Sequence, residues 1–99
     1  MNHRKLFIVY NHAIAKARRY GNDPKLIQRL HLALGILQYH DYYVAEKEQY
    51  HPTATSCNCK DWEYHYAKRR GYKFHCKHMI AEILLERVNQ VTYRQLSFQ

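Results

Sequence analysis

The sequence predicts an α+β fold, a helical hairpin packed on a smaller unit of two short strands and a final helix. Three observations support this. Apolar residues recur at three- and four-residue steps over the first forty positions. That period breaks after Asp41, where Tyr42, Tyr43 and Val44 have strand character. The helical period then returns from Lys77 to about Val91. At 99 residues the chain has room for one domain, expected over 1–99, with the hairpin at 1–40 and the smaller unit at 42–91.

In the first segment Leu6, Val9, Tyr10, Ala13, Ala17 and Tyr20 form one helical face, and Gly21 supplies a stop. Lys5, His12, Lys16 and Arg19 make a cationic stripe elsewhere on that helix. Asp23 before Pro24 reads as an N-cap followed by proline at the first helical position. The helix it opens extends to Tyr39, with Leu26, Ile27, Leu30, Leu34 and Leu37 on its apolar face. The short Gly21–Asp23 connection predicts an antiparallel hairpin. Tyr42–Ala45 and Thr53–Ser56 are the two expected strands, joined by a turn at Glu46–Tyr50. Asp61–Arg70 is expected to form a short helix capped by Asp61. Leu30, Leu34, Ile80, Ile83 and Leu84 should join the hairpin to the last helix.

Sixteen Lys and Arg against eight Asp and Glu give a formal charge of +8 and a pI near 9.5. Such an excess favours a polyanionic partner, because neutralising phosphates releases condensed counterions. The longest apolar run, Leu32 to Leu37, is far short of the ~20 residues needed to span a bilayer. Leu6–Tyr10 is too short for the core of a signal peptide, so the expectation is an intracellular protein, in the cytoplasm or a eukaryotic nucleus.

Three cysteines cannot all pair within one chain, and an odd number in an intracellular setting points to metal binding. Cys57-Asn58-Cys59 and Cys76-Lys77-His78 are separated by 16 residues. Extended backbone would turn Cys57 and Cys59 to the same side, while Cys76 and His78 sit together at the opening of the last helix. Three sulfurs and one nitrogen suit a closed tetrahedral Zn²⁺ site, whereas Mg²⁺ and Ca²⁺ prefer oxygen and iron–sulfur clusters usually take four cysteines. His65 and His75 are the substitutes for His78 that spacing leaves open.

The order Cys-x-Cys, spacer, Cys-x-His, and the segments SCNCKDW and FHCKHMIAEIL in particular, resemble the SWIM zinc finger over about Tyr42 to Val91. The resemblance implies Cys57, Cys59, Cys76 and His78 as ligands of one structural zinc within a ββα unit. It also implies DNA binding or protein–protein contact, since the family occurs in chromatin remodellers, transposases and recombination mediators. A closed site leaves no coordination place for a substrate water, and the chain has neither a Gly-rich phosphate loop nor a His-Glu-x-x-His sequence. No enzymatic activity is expected.

The spacer interleaves Lys60, Lys68, Arg69, Arg70 and Lys73 with Trp62, Tyr64, Tyr66 and Tyr72. Cations neutralise phosphates and aromatic faces stack on bases, so Lys60, Lys68, Arg69, Arg70 and Lys73 are the expected nucleic-acid contacts, with Lys16 and Arg19 as a second patch. DNA is favoured over RNA. The competing reading is a protein-interaction adaptor that uses the finger to recruit a larger DNA-processing complex.

Overall fold

The computed structural model describes residues 3–67 and 75–90. They form five helices: α1 (His3–Arg19), α2 (Pro24–Gln38), α3 (His40–Tyr50), α4 (Lys60–Ala67) and α5 (Lys77–Gln90). Among the described residues there is no strand, so the architecture is all-α and the expected ββα unit does not form.

The α1–α2 turn follows from its residues. Gly21 takes φ 111°, where a residue with a Cβ would be strained, and the Asn22 N–H returns to the Ala17 carbonyl at 2.9 Å. Asp23 then caps α2 by accepting the Lys25 N–H at 2.9 Å, with Pro24 in the first turn. Leu6, Val9, Tyr10, Ile14 and Ala17 are the buried stripe of α1; Ile14 takes the inward position expected of Ala13, and Tyr20 is exposed. In α2 the buried residues are Leu30, Ala33, Ile36 and Leu37, with Ile27 and Leu34 half-buried beside them and Leu26 at the rim.

These faces meet in one core. α2 packs on both α1 and α5, and α1 also packs on α5. Leu30, Ile80 and Leu84 share this core with Leu34 packed against it, whereas Ile83 lies on its margin. Leu6 and Leu37 are fully buried, each worth about 2–3 kcal/mol of hydrophobic transfer.

The larger correction concerns residues 40–59. Tyr39 closes α2 with φ −109° and ψ 79°, and α3 begins directly after it. Tyr43, Glu46 and Tyr50 recur at three- and four-residue steps, and the first two are buried. That is a helical stripe whose middle member is a carboxylate, and this hid the period behind the strand propensity of Tyr and Val. The expected turn at Glu46–Tyr50 is therefore the second half of α3. His51, with φ 47°, ends the helix, its N–H bonded to the Lys47 carbonyl at 2.9 Å, and Pro52 prevents continuation.

The second expected strand, Thr53–Ser56, is a closed turn. The Ser56 and Thr55 N–H groups donate to Thr53 Oγ1 at 3.0 and 3.2 Å, and the Thr53 N–H donates to the Ser56 carbonyl at 2.8 Å. Here the threonine hydroxyl captures local backbone that a strand would need for its ladder.

Candidate metal centre

Each cysteine arrives by a different local device. The turn at 53–56 delivers Cys57, whose Sγ lies 3.9 Å from the Tyr50 carbonyl, while the Asn58 N–H donates to that same carbonyl at 3.0 Å. Cys59 occupies the N-cap position of α4: the Trp62 N–H points to its Sγ at 3.4 Å, and its carbonyl accepts the Glu63 N–H at 3.0 Å. Cys76 stands in the same position on α5, where its carbonyl accepts the Ile80 N–H at 3.0 Å and the Met79 N–H stabilises its sulfur. Two helix N-termini thus converge on two sulfurs, a placement that favours thiolates.

His78 completes the set from the first turn of α5. The sulfurs of Cys57, Cys59 and Cys76 and a ring nitrogen of His78 all lie within 4.8 Å of one another, and all four residues are buried. Cys57 Sγ is 3.9 Å from His78 Nδ1. Zinc–sulfur bonds of about 2.3 Å and zinc–nitrogen bonds of about 2.0 Å require ligand–ligand edges of roughly 3.5–3.8 Å. The cluster therefore needs only a small contraction to enclose a zinc ion.

Electrostatics point the same way. Burial pushes the Cys57 and Cys76 thiols above their ordinary range; the Cys59 N–H draws Cys57 back and the Met79 N–H draws Cys76 back, while the charge of Cys59 pushes both up. Three crowded sulfurs cannot all ionise in such a place without a compensating cation, which a dication supplies. Burial lowers the pKa of His78 despite the opposing charge of Glu46, so the imidazole stays neutral, the form that ligates metal.

The neighbourhood includes Trp62, one of the spacer aromatics, and two residues not expected there, Glu46 and Tyr50. Glu46 of α3 accepts from His78 Nε2 at 3.1 Å, and the Tyr50 ring lies over the imidazole with centroids 4.8 Å apart. Tyr50 and Trp62 pack against the buried cluster of Cys57, Cys59, Cys76 and Met79. The signal for Glu46 was its spacing from Tyr43 and Tyr50, legible only once 40–50 is read as a helix.

The spacing-based substitutes separate from the site. His65 bonds back to Asp61 within α4, and His75 lines a groove between α1 and α5. Of the expected nucleic-acid contacts, Lys60 is exposed at the start of α4, while Lys16 and Arg19 lie on the wall of that groove. Lys68, Arg69, Arg70 and Lys73 fall outside the described residues. The groove has a volume of about 880 Å³; Arg87 stands on it with Lys16 and Arg19, Leu30, Ile80 and Leu84 line it, and no acidic residue is among its described lining residues.

Three thiols and one imidazole, buried and closed by two helix N-termini, form a cluster that could hold a metal ion, and the donor set is that of structural zinc sites. Residues 43–81 match the family model of the SWIM zinc finger, so this part of the chain, from Tyr43 in α3 to Ala81 in α5, is a SWIM zinc finger. No curated protein and no solved structure matches the chain significantly. No described helix is long and apolar enough to cross a membrane.

Proposed function

We propose that the chain is a zinc-stabilised nucleic-acid-binding module without enzymatic activity of its own, holding one zinc ion through Cys57, Cys59, Cys76 and His78, acting inside the cell and preferring DNA to RNA. The observation that carries this reading is the distribution of charge. α1 contains Arg4, Lys5, Lys16, Arg18 and Arg19 and no acidic residue, and Lys16 and Arg19 line a groove with Arg87 on α5. Cations grouped along one concavity suit a phosphate backbone. Zinc binding sets the start of α5, and so holds the groove's second wall in place. Lys60 and the spacer cations Lys68, Arg69, Arg70 and Lys73 extend the same electrostatic reading.

Binding to duplex DNA, single-stranded DNA and RNA of equal length, titrated across salt concentrations, tests this. The expected result is micromolar or tighter binding with a steep negative slope of log affinity on log salt. Lys16→Ala with Arg19→Ala, and separately Arg69→Ala with Arg70→Ala, should each lower that slope by about 2 with zinc content unchanged. Absence of salt-dependent binding to all three polymers would overturn the reading.

A second reading rests on the groove's aliphatic lining. Leu26 and Ile83, the accessible aliphatic residues beneath a cationic rim, suit the apolar face of an acidic amphipathic helix from a protein partner. Tight, salt-tolerant capture of such a peptide by a chain without nucleic-acid affinity would favour this adaptor role.

A further inference from the structure

We propose that Glu46 is a positioning residue for the metal ligand His78, taking the Nε2–H in a hydrogen bond and so presenting Nδ1 to the metal. The inference rests on the reading of the Cys57, Cys59, Cys76 and His78 cluster as a zinc site.

Four observations carry it. The Glu46 Oε2 to His78 Nε2 distance is 3.1 Å, and both side chains are buried. The opposite nitrogen, Nδ1, is the one that faces Cys57 Sγ, at 3.9 Å. The imidazole thus has its two nitrogens assigned to different tasks by their surroundings. Tyr50, one turn after Glu46 on the same helix, lies over the ring and restrains its tilt. Lys47 on α3 also pairs with Glu82 on α5 at 2.9 Å, a second link between the same two helices.

A histidine can bind metal only through a nitrogen without a proton, and the proton then resides on the other nitrogen. A free imidazole exchanges between two tautomers and two ring orientations. A buried carboxylate opposite Nε2 selects one of each, since any other choice leaves the carboxylate buried without its imidazole donor. Glu46 is 32 residues from His78, ahead of the Cys-x-Cys pair, so the bond also ties α3 to the first turn of α5.

The test uses the full chain loaded with zinc. Long-range proton–nitrogen NMR of the wild type should show His78 with its proton on Nε2 and metal on Nδ1. Zinc affinity by chelator competition should fall about 10–100-fold in Glu46→Ala, the usual effect of losing a partner that orients a ligand. Glu46→Gln retains an oxygen acceptor and should recover most of the affinity and the wild-type nitrogen pattern. A wild-type spectrum with metal on Nε2 overturns the proposal without any variant. So does unchanged affinity in Glu46→Ala, or a Glu46→Gln protein as weak as Glu46→Ala. A wild-type chain that takes up no zinc fails the metal reading itself, a different outcome from zinc bound through the other nitrogen.

Discussion

Replacing Cys76 by serine removes one sulfur from the metal centre and puts a poor zinc ligand at a position with 0% exposure. Structural zinc in small fingers contributes on the order of 10 kcal/mol of apparent free energy, comparable with the whole stability of a domain this size, about 5–15 kcal/mol. The structure indicates where that loss should fall. The sulfur cluster with Met79 is separate from the apolar core of α1, α2 and α5. α4 begins on Cys59, and its Trp62 packs against the sulfur cluster. The Arg29–Asp61 ion pair that reaches α4 from α2 is 3.4 Å long with Asp61 about half-exposed, and a surface pair of this kind is worth roughly 0–1 kcal/mol. Loss of zinc should therefore lower the opening free energy of 51–67 by about 3 kcal/mol or more, since the ion pair cannot replace the metal. Each 1.4 kcal/mol is tenfold, so amide exchange in α4 should accelerate at least ~100-fold, while α1 and α2 keep most of their protection. Metal analysis beside hydrogen exchange reads both effects; the wild type should carry one equivalent of zinc and Cys76→Ser close to none. A Cys76→Ser protein with full zinc and a protected α4 would exclude a metal role for Cys76, and equal loss of protection in α1 and α2 would exclude the separation of the two clusters.

Leu37→Ala opens a cavity at a fully buried position between helices and should cost about 2–5 kcal/mol, read as a fall in denaturant midpoint with zinc still bound. Asp23→Ala removes the side-chain acceptor of the Lys25 N–H and should cost about 0.5–2 kcal/mol in thermal unfolding, whereas Asp23→Asn should cost little. Gly21→Ala meets no atom within 4 Å, so its cost, about 1 kcal/mol or more, should come from the backbone at φ 111° alone and show as a lowered melting temperature.

The hairpin was legible because its signals are local. Gly21, Asp23 and Pro24 each satisfy or forgo a particular backbone hydrogen bond, and the bonds they imply are present in the folded chain. The cluster of candidate ligands was legible for a similar reason, since coordination chemistry admits few residue types at few spacings. Residues 40–59 were not. Tyr43 and Val44 have strand propensity in isolation, and Thr53 and Thr55 add to it, but propensity is a weak prior against packing. What sets α3 as a helix is a stripe of Tyr43, Glu46 and Tyr50, whose middle residue is apolar in neither composition nor hydropathy.

Residue identity alone supplied the three cysteines of the donor set with a short choice of histidines, the turn between α1 and α2, and the excess of positive charge. Those depend on residue identity at short range. That 40–50 is a helix depends on tertiary packing, because a carboxylate can occupy a buried stripe only when a donor meets it. That donor, His78 Nε2, is 32 residues away in sequence and 3.1 Å away in space. The tertiary structure likewise brought the cations of α1 and α5 to one groove, since their proximity depends on how α2 packs between the two helices and not on spacing along the chain.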